Sequence, residues 1–420
     1  MIARRYLLSA ICYLLVAGCA SWPRAYGVAP CCIATKPHVI KQPVWWHVLD
    51  VAVLEPLEFP LRLGRPLRAW AGSPVRALNL SSGRVADSAF FTNRDIASTP
   101  PEQIRWGPST PEDVPRPPVT ITKSKMEGKT AGFFVTDANG QRFLLKLDPV
   151  AAPELLSGAE VVTSKLLHAL GYHVPSYEIA RLSWDDVRIA PGAAWKGPLG
   201  LEQPFTESHL HQLLDERLSQ GTFRASASKI LEGTVLGPAR FKRFRDCAEI
   251  RALRLAFAWV NNIDTKDQQT LLVWDGTKTV GYLLDFGTSL GADAGRGGPK
   301  HPCAGWTSVV DLRQAVVKLL TFGMRHPTCD ATREPFSAAI GLFSPQADPQ
   351  RWKPYVPNIA FEAMTEDDAD WMARRMSQLS DARIAAAVSA GQYSHPADAA
   401  YLTQTLIQRR DAIVRRYQDD

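Results

Sequence analysis

The sequence predicts an α+β protein in two lobes: a small β-rich lobe with one main helix, then a larger, mainly helical lobe, behind an irregular N-terminal extension. Three observations carry this. Short alternating runs bounded by turn residues cluster between 118 and 182, one helical period interrupts them, and beyond 310 the periodicity is mainly helical. The 420 residues exceed one ordinary domain. With 45% hydrophobic and 21% charged residues the composition is globular, which excludes a disordered, collagen-like or coiled-coil chain. Only the N-terminal segment is apolar enough to meet a membrane, which excludes a polytopic membrane protein. A formal charge of +6 is too weak to argue for a nucleic-acid partner.

The chain opens with Met1-Ile2-Ala3-Arg4-Arg5, then an apolar run from Tyr6 to Ala17, ending Ala17-Gly18-Cys19. A charged start and a short apolar run make 1–18 a signal peptide. Small residues just before Cys19 resemble a bacterial lipobox. That resemblance implies diacylation of Cys19, and Ala20-Ser21 after it, with no Asp, implies sorting to the outer membrane. The expectation is a lipid-anchored protein of the bacterial cell envelope, with the membrane as one partner. An ordinary signal peptide with a coincidental Cys is the plainer alternative. Of seven cysteines, Cys12 leaves with the signal and Cys19 carries lipid. Cys303 and Cys329 are candidates to pair, whereas adjacent Cys31 and Cys32 are unsuited to bond each other. No spacing suggests zinc. Residues 19–118 read as a tether and an irregular Pro- and Trp-rich extension, closed by the linker-like run 109–118 (STPEDVPRPP).

The smaller lobe is expected over 119–184. Strands are expected at 118–123, 132–136 and 142–147, with Asp137-Ala138-Asn139-Gly140 as the hairpin turn between the last two. Residues 158–170 have helical spacing closed by Gly171, and 177–182 return as a strand. The larger lobe is expected over 185–420. Its first part, 185–245, shows only a short helical stretch near 206–219. Residues 248–261 form a clear helix, and 269–274 with 280–284 flank Asp275-Gly276 as a hairpin. Helices follow at 311–322, 366–379, 381–390 and 397–417.

Four features then fall in a telling order. Lys146 interrupts an apolar strand that follows a Gly-containing hairpin. Glu160 lies fourteen residues later on the next helix. Asp264 follows a buried helix, and Asp285-Phe286-Gly287 ends the next hairpin. Each alone has a plain reading: a solvated strand Lys, a first-turn carboxylate favoured by the helix dipole, a turn residue, a chance tripeptide. Together they match the needs of phosphoryl transfer. A Lys held by a helix Glu contacts phosphates, a loop Asp orients the attacking hydroxyl, and a hairpin-end Asp holds divalent metal. Lys266 and Gln269 stand two and five residues after Asp264. Lys125 and the backbone at Gly128 are candidates to meet phosphate. Glu249 and Arg251, on the helix before Asp264, are expected to form a structural ion pair. His168, His173 and His301 show no ligand spacing.

In this order of motifs the chain resembles atypical bacterial protein kinases, with the HipA-type and CotH-type kinases as comparisons. It is more closely similar to a group of bacterial secreted kinase-like proteins. The matching stretches include 87–94 (DSAFFTNR), 140–149 (GQRFLLKLDP), 167–175 (LHALGYHVP), 258–264 (AWVNNID), 282–291 (YLLDFGTSLG), 352–361 (WKPYVPNIAF) and 409–411. The match runs from about 75 to 417. It implies a protein-kinase-like fold and assigns Asp264 and Lys266 to catalysis. Lys125, Gly128, Lys146 and Glu160 fall to nucleotide binding, and Gln269 and Asp285 to metal. ATP or another nucleotide with Mg²⁺ or Mn²⁺ follows as cofactor. The pattern departs from the family at Gln269, where a metal-binding Asn is usual, at Asn262, where many relatives carry His, and in the hairpin 125–132, which lacks full GxGxxG spacing. Two functions fit. One is a lipid-anchored phosphotransferase or nucleotidyltransferase acting on an unassigned protein or small-molecule acceptor. The other is a catalytically silent pseudokinase that binds or scaffolds in the cell envelope.

Overall fold

The computed structural model describes residues 64–125, 130–196, 201–308 and 332–418, with isolated positions 39, 49, 50, 319 and 321. Cys19, Gly128, Cys329 and all but two positions of the helix expected at 311–322 lie outside the described residues.

The smaller lobe is a seven-stranded sheet. Its strands are β1 (Val119–Ser124), β2 (Gly132–Thr136), β3 (Arg142–Leu147), β4 (Tyr177–Ser183), β5 (Val187–Lys196), β6 (Glu202–Pro204) and β7 (Thr222–Lys229). Their spatial order is β4-β7-β3-β2-β1-β5-β6, antiparallel throughout except for the parallel pair β1 and β5. The β2–β3 turn closes on Asp137, whose Oδ1 accepts from the amides of Asn139 (2.9 Å) and Gln141 (2.8 Å), while Gly140 takes φ +77°. Alternation sorts β3 by face. Phe143, Leu145 and Leu147 join Ile121, Phe133, Val135 and Phe223 in one apolar core, covered by Leu210 and Leu214 of a helix at Glu207–Leu214. Lys146, of opposite parity, points to the other face.

On that other face lies the main helix, Leu155–Leu170, packed against β3, β4 and β7. It is flanked in sequence by α1 (Pro101–Trp106) and by the helix at Glu207–Leu214, so the three are α1, α2 and α3. The buried side of α2 joins the second, larger core, which it shares with α4 (Ala248–Val260), α5 (Glu366–Ser377), α6 (Asp381–Ser389) and α7 (Pro396–Gln418). A three-stranded sheet, β8 (Thr234–Gly237), β9 (Thr270–Trp274) and β10 (Thr279–Leu283), completes this lobe. The whole is α+β, with a β-rich lobe, a mainly helical one and an irregular extension. No helix among the described residues is long and apolar enough to cross a membrane.

Two differences from the sequence reading concern boundaries. The sheet runs across 184, because β5, β6 and β7 belong to it. These strands escaped notice for physical reasons. β5 is interrupted by Pro191 and Gly192, where the register with β1 shifts, and it is largely exposed. β7 has Ala225-Ser226-Ala227-Ser228 at its centre, residues that carry little strand signal. The second difference is the extension. From residue 77 onward it is no tether: Ala77, Val85, Phe90, Phe91, Ile96 and Ile104 enter the larger core. Phe90 meets Phe244 edge-on at 4.8 Å between centroids, and Phe91 meets Trp371 at 5.2 Å.

A third difference concerns Glu249 and Arg251, which are wholly buried but do not pair with each other. Glu249 accepts from Asn79 Nδ2 (2.6 Å) and Ser88 Oγ (2.7 Å) of the extension. Arg251 reaches Asp246 (2.8 Å), Asp368 of α5 (3.4 Å) and the Val75 and Arg245 carbonyls. At i and i+2 on a helix the two side chains diverge, so each takes its own partner. Cys303 is disulfide-bonded; its expected partner Cys329 is outside the described residues.

Candidate active site

Lys146 lies at the register position of β3 where Gly132 of β2 stands on one side and Ser226 of β7 on the other. Gly132 is obligatory there, since a Cβ would fall 2.2 Å from the Leu145 carbonyl oxygen. Lys146 is 5% exposed, and its ammonium donates directly to Glu160 Oε1 of α2 and, at 2.9 Å, to Asp285 Oδ1. Glu160 is 2% exposed, and its other oxygen accepts from Ser226 Oγ at 2.5 Å. Three segments far apart in sequence thus meet at one ammonium.

The electrostatics follow from this crowding. Burial opposes the charge on Lys146, but the Asp285 and Glu160 carboxylates outweigh it and raise its pKa, so the ammonium stays protonated. Burial also works to raise the Asp285 carboxyl. The charge and hydrogen bond of Lys146, with Lys125 adding its own positive field, overcome it and hold the group down at about 2. Glu160, fully enclosed, is pushed up by burial. Asp285 is the open member of the trio, with 40% of its side chain exposed. Its backbone sits at φ +56°, a left-handed conformation that a short acidic side chain tolerates. The Asp285 amide is fixed by donating to Tyr177 Oη at 3.2 Å, and burial pushes that phenol up to about 12.

The second half of the site is the loop after α4. Asn261 closes the helix at φ +51°. Asp264 Oδ2 pairs with Lys266 Nζ at 2.9 Å and accepts from Gln269 Nε2 at 2.7 Å. This loop is laced to the Asp285-Phe286-Gly287 segment. The Leu284 amide donates to the Gln269 carbonyl (2.8 Å), Ile263 N donates to Thr288 O (3.4 Å), and Thr288 Oγ1 donates to Asn262 Oδ1 (2.8 Å). Gln269 therefore lies opposite Leu284, the residue before Asp285, just past the end of the β9–β10 ladder.

Of the residues singled out from sequence, Lys146, Glu160 and Asp285 are in direct contact. Asp264, Lys266 and Gln269 form an adjoining cluster, and Lys125 acts on Asp285 through its charge. Gly128 is outside the described residues. Ser226 and Tyr177 were missed. Ser226 lies in a strand that sequence did not reveal, while Tyr177 offered one signal, a polar tip on a buried apolar strand.

A divalent cation fits what is present in a restricted sense. Asp285 has 40% of its side chain exposed, and Gln269 donates its amide nitrogen to Asp264, which leaves its amide oxygen as an acceptor. Both are hard oxygen donors, suited to Mg²⁺ or Mn²⁺. Among the described residues no group of three His, Cys, Asp or Glu is able to hold a metal alone. The remaining ligands would have to come from a phosphate chain and water.

A strand Lys, a helix Glu and a hairpin-end Asp thus meet between the β-rich and the mainly helical lobe of an α+β fold. No family model matches the chain, and no curated protein matches it. Solved structures with a similar chain path include the Helicobacter pylori proinflammatory kinase CtkA, 10% identical over 73% of this chain and 99% of that one, TM-score 0.39. The Golgi casein kinase is 10% identical over 73% of this chain and 76% of its own, TM-score 0.29, and its form with Mn/ADP bound gives 0.28. At these scores the likeness carries no weight for activity, and the functional reading rests on the geometry of Lys146, Glu160 and Asp285.

Proposed function

We propose that the chain is a metal-dependent phosphotransferase that takes a nucleoside triphosphate as donor. The observation that carries this is the buried Lys146 ammonium bonded at once to Glu160 and to Asp285, whose side chain is 40% exposed. A structural ion pair has no need of a second carboxylate left open to solvent in a left-handed backbone. In this reading Lys146, oriented by Glu160, binds α- and β-phosphate oxygens, and Lys125 adds positive charge near the phosphates. Asp285 and Gln269 hold the divalent cation, which when bound neutralises charge on the phosphate oxygens. The acceptor hydroxyl oxygen attacks the γ-phosphorus while the bond from phosphorus to the bridging β–γ oxygen breaks. The nucleoside diphosphate leaves with that electron pair, and the acceptor proton passes to Asp264. Lys266, paired with Asp264, sits beside the transferring group.

The test is label transfer from γ-labelled and, separately, α-labelled ATP with Mg²⁺ or Mn²⁺. Label passing from the γ position supports phosphotransfer, and label only from the α position turns the reading to nucleotidyl transfer. Asp264→Asn keeps nucleotide binding and loses transfer. Metal-dependent nucleotide binding without transfer by wild type to any acceptor, water included, favours the silent pseudokinase instead. The proposal extends to location: Cys19 carries lipid and anchors the protein at the envelope, since two acyl chains suffice for stable anchoring. Acyl labelling that persists in Cys19→Ala contradicts this.

A further inference from the structure

The stretch 352–361 (WKPYVPNIAF) has no part in the chemistry above, yet it runs beside the Asp264 loop and ties to it at alternate residues. Trp352 Nε1 donates to Asn261 Oδ1 at 3.0 Å, and Tyr355 N donates to the Ile263 carbonyl at 2.8 Å. Thr265 Oγ1 donates to the Val356 carbonyl at 3.3 Å, and Asn358 Nδ2 donates to the Thr265 carbonyl at 3.3 Å. The rungs fall on 261, 263 and 265. Between these rungs, Asn262 and Asp264 find their partners elsewhere, on Thr288 and on Lys266 and Gln269. The strap is itself anchored. Asn358 Oδ1 caps the following turn at Ala360 N (3.0 Å), and Phe361 packs edge-on against Phe257 of α4.

Tyr355 has a second tie. Its phenol donates to Asp293 Oδ2, a carboxylate with no solvent exposure. The Asp293 carbonyl accepts from Arg296 N (3.0 Å) and Gly297 N (2.9 Å), and Ala294 N donates to the Gly287 carbonyl (2.9 Å). Asp293 thus holds the tight hairpin that follows Asp285-Phe286-Gly287, with exposed Arg296 at its tip. Burial and Asp293 keep the phenol protonated and hence a donor. Through its amide on Ile263 and its phenol on Asp293, Tyr355 joins the Asp264 loop to the hairpin.

We propose that the strap 352–358 aims Asp264, and that Tyr355 is a positioning residue that clamps the 293–298 hairpin to the Asp264 loop on the acceptor side of the site. The assignment of that side rests on the reading that Asp264 takes the acceptor proton; the clamp itself does not. Tyr355→Phe in the full chain removes the donor and keeps the ring. Amide hydrogen exchange at Arg296 and Gly297 is expected to quicken about tenfold or more, whether or not the protein transfers phosphate. The transfer rate constant is expected to fall about tenfold or more, with nucleotide Kd held within about twofold. Asp293→Asn is expected to act in the same direction and non-additively with Tyr355→Phe, as for two partners in one bond. Unchanged exchange, or strictly additive effects, overturns the clamp. Quickened exchange with an unchanged transfer rate keeps the clamp and overturns its role on the acceptor side. A wild-type protein that transfers nothing sinks the phosphotransfer reading, while the exchange measurement still decides the clamp.

Discussion

Lys146 carries two carboxylates at once, and Ser226 determines how Glu160 shares in it. With one Glu160 oxygen on Lys146 and the other on Ser226, a carboxylate that is 2% exposed has both ends satisfied. Ser226→Ala leaves one buried oxygen without a donor, and the penalty for such a group is about 1–3 kcal/mol. The measurement is denaturant unfolding at pH 7, where the midpoint falls without a change in slope. A variant as stable as wild type means that Glu160 finds another donor and that its orientation does not depend on β7. At this scale the order of the motifs anticipates the contact of Lys146 with Glu160 and Asp285. Ser226 was invisible, because only the β3–β7 register brings it opposite Lys146. The expected Glu249–Arg251 pair failed for a related reason: opposite charges close in sequence do not show which way each helix position faces.

Among the elements, the extension shows what local pattern conceals. Periodicity located α2, α4 and the hairpin β9–β10 because each buries a regular face. The segment 77–99 buries side chains without a period, so it resembled a tether. Its ties to the body include two histidines. His173 Nδ1 lies 2.9 Å from the Ala89 carbonyl, which requires a proton on Nδ1, and Nε2 lies 3.0 Å from Thr92 Oγ1. Arg94 donates to the His168 and Tyr172 carbonyls. Burial, aided by the Arg94 charge, lowers His168 to about 3 and His173 to about 4. Unfolded, both titrate near pH 6.5. The stability they contribute is therefore complete above about 6.5 and is lost as pH falls through about 4 and then 3. Thermal unfolding across pH 7 to 4 is expected to show a falling melting temperature, and the double variant His168→Gln, His173→Asn a flatter profile. A wild-type melting temperature that holds steady from pH 6.5 to 4 contradicts a docked extension with neutral rings.

For the molecule as a whole, the division into lobes matters less than the path of α2. The helix that bears Glu160 is part of the larger core, and a polar knot ties its first turn to the α6–α7 connection. Asp148 Oδ1 accepts from the Leu156 and Ser157 amides. Arg224 reaches Ser157 Oγ (2.8 Å) and the Gln392 carbonyl (2.8 Å), while Ser394 bonds Glu154. A boundary drawn at 184 misses this, since the larger lobe grips the smaller through α2. Glu160 is thereby held in place for Lys146 before any ligand arrives, which is the preorganisation a phosphate site needs. In the proposed function Lys146 and Asp285 form a metal-dependent nucleotide site. The most direct measurement is the thermal shift of the purified protein with ATP and Mg²⁺, alone and together. Stabilisation of about 2.7 kcal/mol is expected at one hundred times the dissociation constant, and only with both present. Asp285→Asn and Lys146→Met are each expected to remove the shift while the variants remain folded. A shift that survives either substitution, or no shift with wild type at saturating nucleotide and metal, contradicts the account.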